Sequence, residues 1–311
     1  MPPSTHIDWN ALALPALFDA LARADAEELA ARALREDLGD AGDITSAASI
    51  PAGMPGSATV VSRADGVVAG LPVAEIVAAR GGLQLERLAE DGARVGSGTR
   101  IARLSGPFAA ILAHERTVLN FLTLLSGNAT LAARFVDAVR GTRARICDTR
   151  KTLPGLRTLQ KYATRCGGAS LHRIGLFDAV LLKDNHLGAF GPGALAERVR
   201  AASCAARAAG MPSFVECEVD SLAQLDELLA LEDGVLDMIL LDNMGPDELA
   251  DAVRRRDRRA PRILLEASGG VRLETVRAIA ESGVDRISVG AITHSAPALD
   301  LGLDLLPGDT R

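Results

Sequence analysis

Aromatic side chains are scarce in this sequence: one Trp, one Tyr and seven Phe among 311 residues. So few rings leave little to stack on bases, and a formal charge of -6 with a pI near 5.5 further excludes a dedicated nucleic-acid binder. Cysteine is scarce too. Cys147, Cys166, Cys204 and Cys217 form no C-x-x-C pair and have no His at finger spacing, so neither a zinc site nor a disulfide framework is expected. No uninterrupted apolar run approaches the ~18 residues of a membrane span. The start MPPSTHIDWN has neither the basic region nor the apolar core of a signal peptide, and the expectation is a cytoplasmic protein without a membrane partner.

What is present is apolar bulk. A hydrophobic content of 48% over this length suffices for one large domain and a smaller one. From Ala11 to Leu38 the apolar spacing is helical and predicts two helices. From Pro51 to Leu104 short apolar runs broken by Gly and Pro predict strands and turns, a small α+β unit. The stretch from Phe108 to Gly141 is again helical, with Gly127 offering a break between two helices.

From Arg145 onward one pattern repeats: a short apolar run, a polar residue at its end, then an amphipathic stretch. The runs are RICDT, AVLLKD, FVECEV, MILLDN, ILLEAS and RISVGA. Strand followed by helix, about six times over, implies a parallel sheet with helical crossovers. An open doubly wound sheet would focus its chemistry at one switch point. Here each run ends in its own functional side chain: Asp148 with Arg150, Lys183, Glu218, Asp242, Glu266 with Ser268, and Ser288. That convergence favours a barrel, whose sites lie at the C-terminal strand ends. Six strands fall short of eight, so the barrel is expected to be incomplete or closed by other elements.

Between Asp148 and His186 seven Lys/Arg face three acids, a local +4 inside a chain that is otherwise -10. Such an island points to a focused site for a small polyanion. Arg150, Lys151, Arg173 and Lys183 adjoin strand ends or Gly turns and are the candidate ligand contacts; Arg157, Lys161 and Arg165, at helical spacing, read as a solvated face. His172 follows Gly167-Gly168 and is a candidate donor to a carboxylate or phosphate beside Arg173, while His186 is ambiguous. Glu218 and Asp242 are assigned to ligand contact, at ribose hydroxyls or a substrate-bound Mg²⁺, and Glu216 and Glu266 to structural support. The last two strands end in ASGGVR and SVGAITHS, whose backbone N–H groups can cradle a phosphate.

The strings HERTVLNFL, DTRKTLPGLR, KYATRCGGASLHRIGLFDAVLLKDNHL, VECEVDS, LLDNM, EASGGV and SVGAITHSAPALDLGLD together closely resemble the quinolinate phosphoribosyltransferase family, and they span nearly the whole chain in family order. The resemblance implies an N-terminal α/β sandwich domain (residues 1–126, rejoined by 296–311) and a six-stranded incomplete α/β barrel (127–295). It implies a homodimer whose site takes residues from both subunits. The implied reaction joins quinolinate to 5-phosphoribosyl 1-diphosphate with Mg²⁺, giving nicotinate mononucleotide, diphosphate and CO2, a step of de novo NAD biosynthesis.

Carried over by motif, Arg150, His172, Arg173 and Lys183 would hold the quinolinate carboxylates, with Lys151 shared between quinolinate and the diphosphate end and Thr149 a further substrate-binding residue. Arg116 would be donated to the partner's site. Glu218 and Asp242 would lie around ribose and Mg²⁺, and Ser268, Gly270, Ser288 and Gly290 would hold the 5'-phosphate. The catalytic set is then Lys151, Lys183, Glu218 and Asp242. EASGG stands where many relatives read ESSGG, a change at Ala267 for which no functional cost is expected. The rivals are a paralogous phosphoribosyltransferase-like protein associated with molybdate transport, and a barrel decarboxylase or aldolase using Lys183 as a Schiff base.

Overall fold

A computed structural model describes residues 7–183, 185–186, 195–210 and 212–305. In chain order the elements are α1 (Leu14–Leu17), a single π turn (Phe18–Ala22), α2 (Arg23–Leu38), α3 (Ile44–Ser49), β1 (Pro55–Ser62), β2 (Gly66–Val67), α4 (Leu71–Arg80), β3 (Gln84–Arg87), β4 (Arg94–Val95), β5 (Arg100–Pro107) and α5 (Phe108–Ala138). There follow β6 (Arg145–Cys147), α6 (Arg157–Cys166), β7 (Val180–Leu182), α7 (Leu195–Ala209), β8 (Val215–Val219), α8 (Leu222–Leu228), β9 (Met238–Asp242), α9 (Pro246–Arg259), β10 (Leu264–Ser268), α10 (Val276–Glu281), β11 (Arg286–Ser288), α11 (Ala291–His294) and β12 (Leu301–Leu305).

Two compact units share this chain. One comprises residues up to 11, Arg134–Lys151 and Ala169–Ala291; the other comprises Leu12–Ala133, Thr152–Gly168 and the residues from 292 onward. The second is built on an antiparallel sheet of order β12-β1-β5-β3, with β12 pairing along β1 from Ala58↔Leu305 to Ser62↔Leu301. Three local expectations are corrected there. The two helices expected between Ala11 and Leu38 run on without a loop: Phe18, Ala22, Ala26, Ala30 and Leu34 are all buried, and a π turn keeps this stripe on one face. Gly127 does not break α5, which is one helix of 31 residues. A Cβ at Gly127 would sit 2.2 Å from the Pro297 carbonyl oxygen, so the glycine serves close approach, not termination. Lys161 on α6 is fully buried, not part of a solvated basic face, while Arg157 and Arg165 are half-buried.

By length and composition alone α5 could cross a bilayer, contrary to what uninterrupted runs suggested. Its Val118, Leu122, Leu125, Ala129 and Ala132 are nonetheless buried, and Asn128 Nδ2 donates to the Ile292 carbonyl at 2.6 Å. Those are the bonds of a core helix.

The first unit carries the parallel sheet, of order β6-β11-β10-β9-β8-β7. Its edges, β6 and β7, do not pair among the described residues, so the barrel is incomplete, as expected from six runs. Ile239, Leu241, Leu265 and Ile287 are fully buried, each worth roughly 1.5–3 kcal/mol of apolar transfer. Helix α9 shows how the crossovers are specified. Gly245 N–H donates to Glu248 Oε2 at 3.2 Å, Pro246 opens the first turn beside Asp247 and Glu248, and Arg256, Arg258 and Arg259 close the last, matching the helix dipole.

Candidate active site

Side chains alternate along a strand, so residues two apart share a face. This puts Lys183, Glu218, Asp242, Ser268 and Ser288 at the strand ends, above Leu181, Glu216, Leu240, Glu266 and Arg286 on the same faces. A cavity of about 580 Å³ opens at these ends. Its cationic wall is Arg150, Lys151, Arg173 and Lys183; Ser268, Gly269, Gly270 and Ser288 form its glycine-rich side, with Glu218 and Asp242 completing the rim. All of it lies within the first unit.

Of the residues assigned from sequence, Thr149, Arg150, Lys151, His172, Arg173, Lys183, Glu218, Asp242, Ser268, Gly270 and Ser288 line this cavity. Arg116, on α5, and Gly290, two residues past Ser288, do not line it. Exposed His186 accepts a hydrogen bond from the Lys183 N–H at 3.1 Å, and Asp184 lies outside the described residues.

The cationic wall is set up to receive an anion. Arg150 Nε is buried without a protein partner. Burial, and then the neighbouring charge of Arg150, lower the pKa of the Arg173 guanidinium, so an arriving carboxylate relieves both. Lys183 Nζ is in contact with Glu218 Oε2 at the rim.

Glycine chemistry shapes another part of the lining. Gly269 has φ +96°, and a Cβ there would meet Asn243 Oδ1 at 2.1 Å. Asn243 is the one non-glycine residue with positive φ among those described, at 56°. Its N–H donates to the Ser268 carbonyl at 2.9 Å and its Nδ2 to Asp242 Oδ2 at 2.7 Å, so it ties two strand ends together. Asn243 was missed from sequence, although its place beside Asp242 in LLDNM was a visible signal.

Beneath the rim lies a buried charged cluster. His172 Nε2 is 3.0 Å from Glu216 Oε2 and 3.3 Å from Glu266 Oε1, and Arg286 Nε donates to Glu266 Oε2 at 2.7 Å. Burial opposes charge on His172, but Glu266 and Glu216 outweigh it and push its pKa up to about 10. Burial and then Glu266 raise Glu216; Glu266, despite its burial, is held at about 2 by His172 and Arg286. The Arg173 N–H points at His172 Nδ1 from 2.8 Å, which requires a lone pair on that nitrogen. An imidazolium would oppose two N–H groups there, so the cluster's retained proton belongs on Glu216, with Nε2–H donating to it. A metal at Nε2 is equally disfavoured, because a ligating His normally donates from its other nitrogen. His172 thus lines the cavity wall while its ring nitrogens face protein groups.

Glu218 and Asp242, on the adjacent strands β8 and β9, offer a small set of hard oxygens facing the cavity, a donor set that suits Mg²⁺ carried in on a polyphosphate.

An incomplete α/β barrel whose strand ends open on one cavity, lined by cationic side chains and by a glycine-rich turn, defines the class: an α/β-barrel enzyme with its site at the strand ends. Comparison with known proteins names the kind. Residues 128–304 match the model of the quinolinate phosphoribosyl transferase C-terminal domain and residues 43–126 that of its N-terminal domain. A Mycobacterium leprae protein named nicotinate-nucleotide pyrophosphorylase [carboxylating] is 48% identical over 279 residues, 88% of this chain and 95% of that one. A Bacillus subtilis protein with the same name, marked probable, is 40% identical over 87% of this chain and 90% of its own length. The solved nicotinate-nucleotide pyrophosphorylase of Francisella tularensis superposes with a TM-score of 0.81 at 34% identity, covering 97% of this chain and all of that one. The chain belongs to the quinolinate phosphoribosyl transferase family.

Proposed function

We propose that this protein transfers the phosphoribosyl group of 5-phosphoribosyl 1-diphosphate to the nitrogen of quinolinate and releases the adjacent carboxylate as CO2, yielding nicotinate mononucleotide and diphosphate in NAD biosynthesis. The observation that carries this reading is one cavity lined both by Arg150, Lys151, Arg173 and Lys183, which suit a dicarboxylate, and by Ser268, Gly269, Gly270 and Ser288, which suit a phosphate.

Arg150, Arg173 and Lys183 take the two quinolinate carboxylates, and Lys151 stands between that ring and the diphosphate. Ser268, Gly269, Gly270 and Ser288 hold the 5'-phosphate, and Gly290 follows on the same turn. As the C–O bond to diphosphate breaks, the sugar carbon gains positive character, and the carboxylates of Glu218 and Asp242 stabilise it. Mg²⁺, held by the same two residues, would supply neutralisation of the leaving diphosphate. Fixed geometry carries much of the rate, since wall and cradle orient nitrogen and sugar carbon toward each other. Once ribosylated, the ring nitrogen is cationic; the C2–CO2 bonding pair flows toward it, CO2 departs, and C2 takes a proton.

By the same resemblance the enzyme works in the cytoplasm as a homodimer, with Arg116 entering the partner's site. The test uses quinolinate labelled in the C2 carboxyl: labelled CO2 should appear only with both phosphoribosyl diphosphate and Mg²⁺. Release without phosphoribosyl diphosphate, or none at all, would overturn the reading.

A further inference from the structure

The parallel sheet is open between β6 and β7, and the segment carrying His172 and Arg173 lies beside β6 at that seam. Ser170 N–H donates to the Ile146 carbonyl at 2.8 Å, Asp148 N–H to the Ser170 carbonyl at 3.2 Å, and His172 N–H to Asp148 Oδ1 at 2.8 Å. In extended backbone alternate residues turn their polar groups to opposite sides. With Ser170 and His172 facing β6, Leu171 directs its N–H and C=O away from it, where an adjacent strand would have paired them. Leu171 is buried, so those groups need partners. Asn10 provides both: Leu171 N–H donates to Asn10 Oδ1 at 2.7 Å, and Asn10 Nδ2 donates to the Leu171 carbonyl at 3.0 Å.

Two residues on, Arg173 is fixed from the other direction. Its N–H donates to His172 Nδ1, its Nη1 reaches the Ala179 carbonyl at 3.4 Å, and Asp178 accepts from Ile174 and Gly175 N–H at 2.8 Å each. The Leu171 peptide is therefore the upstream anchor of the arginine on the cavity wall. A second cavity, lined by Trp9, Asn10, Leu171, His172, Arg173 and Phe214 among others, adjoins this segment and gives water a route to its amides.

We infer that Asn10 is a positioning residue: its amide stands in for the missing strand at the barrel seam and holds Leu171, and through it Arg173, in place for the substrate. Only the kinetic half of the test rests on the function proposed above. In the full-length protein without substrate, Asn10→Ala should speed hydrogen exchange of the 170–174 amides at least tenfold, on the scale of two lost hydrogen bonds. Asn10→Asp keeps the acceptor for Leu171 N–H and loses the donor, so it should fall between wild type and Asn10→Ala. In steady-state assays Asn10→Ala should raise the quinolinate KM about tenfold while the phosphoribosyl diphosphate KM stays within twofold. Unchanged exchange in both variants overturns the inference, as does an equal rise in the two KM values. If Asn10→Ala does not fold, the Asn10→Asp measurements decide. Should the wild-type enzyme release no CO2, the proposed reaction fails while the exchange measurement still judges Asn10.

Discussion

Glu266 and Glu216 lie side by side in the buried cluster, yet removing their charges should have opposite consequences. Glu266 is fully buried, receives the Arg286 guanidinium at 2.7 Å and is held at about 2, below its ordinary value of 4.5. Breaking a buried ion pair by neutralising one partner costs about 3–5 kcal/mol, and Glu266 with Arg286 is such a pair. Glu266→Gln should therefore cost about 3 kcal/mol at pH 7 by urea unfolding. Burial and then Glu266 raise Glu216 and disfavour its ionised form, so Glu216→Gln should cost less than about 1 kcal/mol. The folded pKa of Glu266 lies below the unfolded one, so its contribution is complete above about 4.5 and lost as pH falls toward 2. The gap between wild type and Glu266→Gln should accordingly close over that window. Equal costs for the two variants, or a larger cost for Glu216→Gln, would refute this placement of the proton.

The other predictions concern the cavity and the close approach in the second unit. Arg173→Ala should raise the quinolinate KM by a hundredfold or so, the loss of a charged bidentate donor worth about 3 kcal/mol, with an unchanged circular dichroism spectrum. Gly269→Ala meets both a positive φ and the Asn243 side chain, so the phosphoribosyl diphosphate KM should rise more than the quinolinate KM in steady-state assays. Gly127→Ala drives a Cβ into the Pro297 carbonyl and should lower the unfolding free energy by about 1–3 kcal/mol, read by urea denaturation.

Strand ends are legible in the sequence because a parallel strand in a buried sheet is a short apolar run, and the first polar residue after it marks the end. Lys183, Glu218, Asp242, Ser268 and Ser288 stand out in this way from the order of residues alone, and their motifs point to the family. The sequence also determined the two-part architecture, through its change from turn-broken runs to the strand and helix repeat. Tertiary structure decided what each neighbour of those residues does. Gly127 looked like a helix break and is a contact point, because only packing brings the Pro297 carbonyl to it. Lys161 and Arg157 read alike at helical spacing, but burial separates them. His172 read as a donor to substrate, and its ring nitrogens face Glu216, Glu266 and the Arg173 amide instead. The basic segment from Asp148 to His186 divides between the two units, α6 falling in the second and Arg173 with Lys183 in the first. Composition and alternation are local properties of a chain, whereas the partner of a buried polar atom is fixed by residues far away in sequence, as Asn10 is from Leu171.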